Sequence, residues 1–253
     1  MRAKFTPLSD SQWQYIENKI GKPRKSHHFL RTIVEAIFWL NYTGVQWRNL
    51  CYGNIPWQTV YYHFRKLKKN GVWEEILDSL SVDRRLQAGK EASPSLLAID
   101  SQSVKTVQFV SEATGIDGNK KINGRKRTIL VDKLGLPFAI KVTAANVSDN
   151  EAGLLALEML KGKVPRLEKI AADAGYKGHF TVEAARLYGC QVEIAQKPES
   201  QKGFVPEKNR WQVERSLSWL NFRRRLFKEV EKTVESAEAM LQIAFISFII
   251  NYL

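Results

Sequence analysis

At about residue 95 the spacing of apolar residues changes period, and that change divides the chain into two kinds of fold. Before it, the spacing is helical. The segment SDSQWQYIENKI follows a capping stretch at 6–9, and FLRTIVEAIFWLNY (29–42) carries an apolar helical face closed by Gly44. After it, short apolar runs alternate with helical patterns. SLLAIDS (95–101), RTILVD (127–132), LPFAIKVTAA (136–145), EKIAADAGYKG (168–178) and QVEIAQK (191–197) read as strands, the first and fourth ending in an acid. NEAGLLALEMLKGK (150–163) and TVEAARLYG (181–189) read as helices, and a basic helical stretch and a last helix complete the chain. Lys133-Leu134-Gly135 marks a hairpin. This order predicts an α/β fold, a mixed sheet flanked by helices, preceded by a small all-helical region. We place the helical domain at 1–82, a polar linker at 83–94 and the sheet domain at 95–253.

Charge narrows the partners. Lys+Arg 39 against Asp+Glu 26 gives +13, an excess that favours a polyanion such as nucleic acid, with solvated lysines or a membrane surface as the plainer readings. Within 44–71, a short helix, a Gly-Asn-Ile-Pro turn and a second helix starting near Trp57 fit a helix-turn-helix DNA reader, with Arg65, Lys66, Lys68 and Lys69 on the second helix. The same pattern also suits a helical bundle with solvated cations. Two cysteines and four scattered histidines supply neither a disulfide framework nor zinc-ligand spacing, which fits a reducing, cytoplasmic location. The terminal run AMLQIAFISFIINYL is 15 residues long and holds Gln242, Ser247 and Asn251. A membrane span needs roughly 20 apolar residues, so a buried core helix and no membrane are expected.

Three acids stand out. Asp100 and Asp173 each follow a short apolar run, where open sheets build sites, although an Asp there also caps the next element. Glu214 is the only acid among Lys208, Arg210, Arg215, Arg223, Arg224, Arg225 and Lys228. On a continuous helix Arg210, Glu214, Ser218, Asn221 and Arg225 share one stripe. Glu214 is then either an i,i+4 partner of Arg210 or a metal ligand on a phosphate-gripping surface.

The segments LLAIDSQSVKT, GIDGNKKINGRKRTILVDKLGLPFAIKVTAANVSD, AADAGYKG and GFVPEKNRWQVERSLSWLNFRRRLFKEVEKTVESAEAMLQIAFISFII occur in that order over roughly 95–250. Together they resemble the bacterial insertion-sequence DDE transposases, specifically the five-type group related to the eukaryotic Harbinger elements. The resemblance implies an RNase H-like fold with a five-stranded sheet, and Asp100, Asp173 and Glu214 as catalytic residues and ligands of two Mg²⁺ or Mn²⁺ ions. It further implies cleavage at terminal inverted repeats, joining of 3′-hydroxyl ends to target DNA, a homodimer on DNA, and no small-molecule cofactor. Only 40 residues separate Asp173 from Glu214, too few for an inserted domain.

A sister group has Tyr seven before this Glu, Arg four before and Lys seven after. Here Arg210 fills the Arg place, while Glu207 and Asn221 stand at the other two. That leaves the phosphate grip to Arg225, with Arg224 second. Lys121, Arg125, Lys126 and Arg127, with Lys105 and Lys177, are expected to hold the DNA backbone, and Arg210 and Arg215 to line the same trough. Trp211 and Trp219 read as packing residues before stacking platforms. Two other functions fit these residues: a transposase-derived DNA-binding regulator without catalysis, and an RNase H-like nuclease with no joining step.

Overall fold

The computed structural model describes residues 4–21, 28–195 and 210–252. Its frame is a six-stranded mixed sheet. β1 (Leu96–Lys105) lies between β3 (Ile122–Val131), antiparallel, and β5 (Lys169–Ala172), parallel; β6 (Gln191–Ile194) continues parallel beyond β5. The other edge of β3 is shared by β2 (Gly115–Asp117) and β4 (Pro137–Ala144). Three antiparallel strands followed by parallel crossovers give the RNase H-like order expected. The three-residue β2 is an addition too short to leave a periodic signal.

Six of the eight residues of β4, and eight of the ten in β3, are buried, because helices cover the sheet. α8 (Val234–Ile249) is the largest cover. Its Met240, Leu241, Ile243, Phe245 and Ile246 are buried. Val234–Tyr252 is long and apolar enough to cross a membrane by length and composition, but 56% of its apolar window is buried inside the protein. The expected core helix is therefore what forms. α5 (Asp149–Glu158) is started by a capping box in which Ser148 and Glu151 satisfy each other's backbone N–H groups. α6 (His179–Tyr188) follows β5.

The N-terminal region is helical: α1 (Asp10–Ile20), α2 (Leu30–Thr43), α3 (Trp57–Lys69) and α4 (Val72–Gln87). The helix-turn-helix expectation is met only in its second half. Between α2 and α3 the chain makes just a 3-10 turn at Trp47–Asn49, pinned by Trp47 against Tyr61 and Phe64. The linker expected at 83–94 is helical through Gln87. Arg85 is the reason: its guanidinium is buried, pairs with Asp132 of the β3–β4 hairpin and bonds the Glu91 and Ser93 carbonyls. Polar composition marked a linker where a buried ion pair makes a join. α4 and α2 pack on α8, so one continuous apolar core runs through both regions.

Candidate active site

The sheet register explains why two acids meet. The last β1–β5 pair is Ala98 with Ala171. Asp100 and Asp173 each lie two residues further on, at equivalent places where the strands part. β1 itself continues to Lys105 along β3, so Asp100 is within a strand (opposite Ile129) and not just past its end as expected. Asp173 does end its strand, and its Oδ1 accepts the Gly175 N–H at 2.9 Å. Gly175 there keeps a tight space open and has no unusual φ. A Cβ would come within 3.0 Å of both Asp149 Oδ2 and Asp173 Oδ1.

The third acid arrives on α7 (Trp211–Leu220), which crosses β1 and β3. Val213, Leu217 and Leu220 bury its apolar face. Its side is fastened to the β3–β4 hairpin: Ser216 Oγ donates to the Gly135 carbonyl at 2.9 Å and Arg215 to the Leu134 carbonyl at 2.8 Å. Gly135, with φ of 83°, makes that approach; a Cβ would lie 2.7 Å from Ser216 Oγ. Glu214 is thereby held on the sheet side where Arg210, just before the helix, also points.

Arg210 shows how close the acids are. One nitrogen, Nη2, lies 3.8 Å from Asp100 Oδ2, 3.7 Å from Asp173 Oδ2 and 3.5 Å from Glu214 Oε1. Three carboxylates from three elements thus face a single cationic group. Among the described residues no three His, Cys, Asp or Glu side chains are disposed to hold an ion together; the guanidinium stands between them. All-oxygen, anionic donors suit a hard divalent cation such as Mg²⁺ or Mn²⁺. Burial pushes the Asp100 carboxyl up to about 6; the Ser101 N–H, at 2.7 Å, and Arg210 oppose that, while Asp173 and Glu214 add repulsion. Beneath it lies a buried hydroxyl chain. Ser101 Oγ meets Tyr176 Oη at 2.7 Å and Thr128 Oγ1 at 2.9 Å, fixing β1, β3 and the turn after β5 together. Nothing in the spacing of Ser101, Thr128 and Tyr176 foretold this support.

Of the expected DNA-contact residues, Lys105, Lys121, Lys177 and Arg224 are exposed. Arg125, Lys126 and Arg127 are not: all three are buried, and their expected role is corrected. Arg125 donates to the Glu112, Glu231 and Lys232 carbonyls. Lys126 pairs with Asp149 at 2.7 Å, and Arg127 with Glu229 at 3.1 Å. Arg225 is corrected likewise. α7 ends at Leu220, so the long helical stripe breaks, and Arg225 turns inward to Glu231 at 2.8 Å and the Val45 carbonyl at 3.0 Å. Glu207 and Lys208 lie outside the described residues. Arg215 is sandwiched between the Trp211 and Trp219 rings, 4.6 and 5.0 Å from their centroids. On α3, Arg65, Lys66 and Lys69 are exposed along a concavity of about 890 Å³ with Tyr61 and Tyr62, while Lys68 is tied to Ser236 Oγ at 3.0 Å.

Comparison with known proteins adds two family matches. Residues 8–77 match a family described as candidate transposases of the IS4/5 type, and residues 91–250 match the transposase DDE domain. A candidate transposase of insertion sequence element IS402 from Burkholderia cepacia is 32% identical over 127 residues, 47% of this chain; the match covers 60% of that relative's length. The Drosophila P element transposase in its strand transfer complex overlays 74% of this chain and 45% of its own, with 10% identity and a TM-score of 0.28.

Proposed function

The chain belongs to the DDE transposase family, and from that premise we propose that it cuts the ends of a mobile DNA element at terminal inverted repeats and joins the freed 3′-hydroxyls to target DNA. The observation that carries this reading is the convergence of Asp100, Asp173 and Glu214 on one cation position. In this proposal the three acids hold two Mg²⁺ or Mn²⁺ ions. When bound, such ions polarise the attacking oxygen and stabilise the leaving one. Asp100 and Asp173, fixed on adjoining strands, set the geometry of the scissile phosphodiester. Glu214, on a helix, closes the cluster from the other side. Water attacks first and releases the 3′-hydroxyl, which then attacks the target strand; no covalent protein intermediate is involved.

The exposed cations of α3 (Arg65, Lys66 and Lys69) bind the terminal repeats in this reading, and Lys105, Lys121, Lys177 and Arg224 hold the backbone near the cut. Two ends cut together need two active sites, so a homodimer on DNA is proposed, acting in the cytoplasm at the nucleoid. The test is a duplex carrying the inverted repeats that flank the coding region, incubated with Mn²⁺. Wild type should nick it, and precut ends should yield products longer than the input. Tight binding without nicking would favour a non-catalytic regulator; nicking without longer products would favour a nuclease.

A further inference from the structure

Arg210 is placed unlike every other arginine described above. Arg85, Arg127 and Arg225 each sit in a pair with one buried carboxylate, and their remaining donors reach carbonyls or nothing charged. Arg210 instead meets three carboxylates at 3.5–3.8 Å, each beyond ordinary hydrogen-bond length. Its side chain is only 14% exposed, so it is inserted between the acids and does not lie over them. A guanidinium at nearly the same distance from three carboxylates occupies a place set by their shared charge. A divalent ion drawn to the same oxygens would meet a positive charge a few ångströms away. The two cations compete.

We infer that Arg210 is an internal counter-ion of the acid cluster, which neutralises Asp100, Asp173 and Glu214 in the metal-free protein and must swing out when a divalent cation enters. This rests on the proposed metal site. It assigns Arg210 a positioning role ahead of chemistry: it keeps three like charges gathered before a metal binds, at the expense of metal affinity. Arg210 lies at the N-cap of α7, while the helix itself is anchored separately through Ser216 and Arg215.

Mn²⁺ titration of the full chain without DNA, followed by the paramagnetic signal of free Mn²⁺, tests this directly. Arg210→Met should bind Mn²⁺ about tenfold tighter than wild type, and Arg210→Lys, which keeps a charge, should stay close to wild type. A wild-type measurement guards against misfolding of the variants. Labelling by an arginine-specific dicarbonyl, mapped by mass spectrometry, should speed up several-fold at Arg210 on adding Mn²⁺, with Arg127 unchanged as the internal control. Equal or weaker Mn²⁺ binding by folded Arg210→Met, or labelling of Arg210 indifferent to Mn²⁺, would overturn the counter-ion role. Failure of the metal-site reading looks different: Asp100→Asn in the Arg210→Met background would then still bind Mn²⁺ as tightly as Arg210→Met alone.

Discussion

Two groups of charged residues lie within the same sheet domain and are built on opposite principles. In one, Arg125 and Arg127 of β3, with Arg225, Glu229 and Glu231 beyond α7, are buried and matched: each cation has a carboxylate or several carbonyls at bonding distance. In the other, three acids share one cation at 3.5–3.8 Å, and one of them is held near pKa 6. Matched charges lock the segment after α7 onto the sheet. The three acids outnumber the one cation they share, which is what the proposed metal site draws on. Local sequence does not announce the difference, since Glu214 of the one and Glu229 of the other both stand in basic stretches. The difference lies in whether partners come in equal number, and only the fold determines that.

That contrast is broken most strongly by removing the acids. Asp100→Ala, Asp173→Ala and Glu214→Ala should each reduce Mn²⁺-dependent nicking by about a thousandfold or more, roughly 4 kcal/mol of barrier, with the far-UV circular dichroism unchanged. The matched group should respond the other way. Arg127→Met strands the buried Glu229 and should cost about 3–5 kcal/mol in urea unfolding, with any loss of activity following the loss of folded protein. An Arg127→Met protein as stable as wild type would erase the distinction.

A pH series sharpens it. The folded Asp100 carboxyl is raised above its unfolded value near 3.8 to about 6, so the folded chain holds the extra proton between these limits. Its favourable contribution is complete below about pH 4 and is lost as pH rises through about 6, on the order of 2–3 kcal/mol. Asp100→Asn should flatten that part of the metal-free stability profile, and wild-type Mn²⁺ affinity should climb over the same window. The smallest effect belongs to the surface. Lys69→Ala on α3 should lower the slope of log affinity against log salt for duplex DNA by about one, while Lys126→Ala, whose amine already pairs with Asp149, should leave the slope alone.

Periodicity was enough to place α1, α2, α3, β3, β4, α5, β5, α6 and β6, because each is long or strongly patterned and carries its own cap or turn. It failed where tertiary pairing overrides local signals. DRRLQAGKEASPS is polar enough to resemble a linker, yet Arg85 reaches a carboxylate 47 residues away. Arg125, Lys126 and Arg127 alternate with nothing apolar, so no pattern announces that a whole β3 segment is covered on both faces. At the candidate site, neighbours and order single out Asp100, Asp173 and Glu214. Their mutual approach depends on the shared β1–β5 register and on the hairpin that seats α7, and neither is local. Arg210 could be placed on the stripe with Glu214, but its reach to the two aspartates needed the fold.

One experiment addresses the cluster without DNA or turnover. Fe²⁺ substituted for Mg²⁺, with ascorbate and peroxide, cuts a polypeptide only beside the bound metal. If the three acids share one cation site, the full chain should be cut near residues 100, 173 and 214 together, and excess Mg²⁺ should suppress all three cuts in parallel. Cuts near 100 and 173 with none near 214, or cuts that Mg²⁺ leaves untouched, would show that Glu214 does not belong to the site.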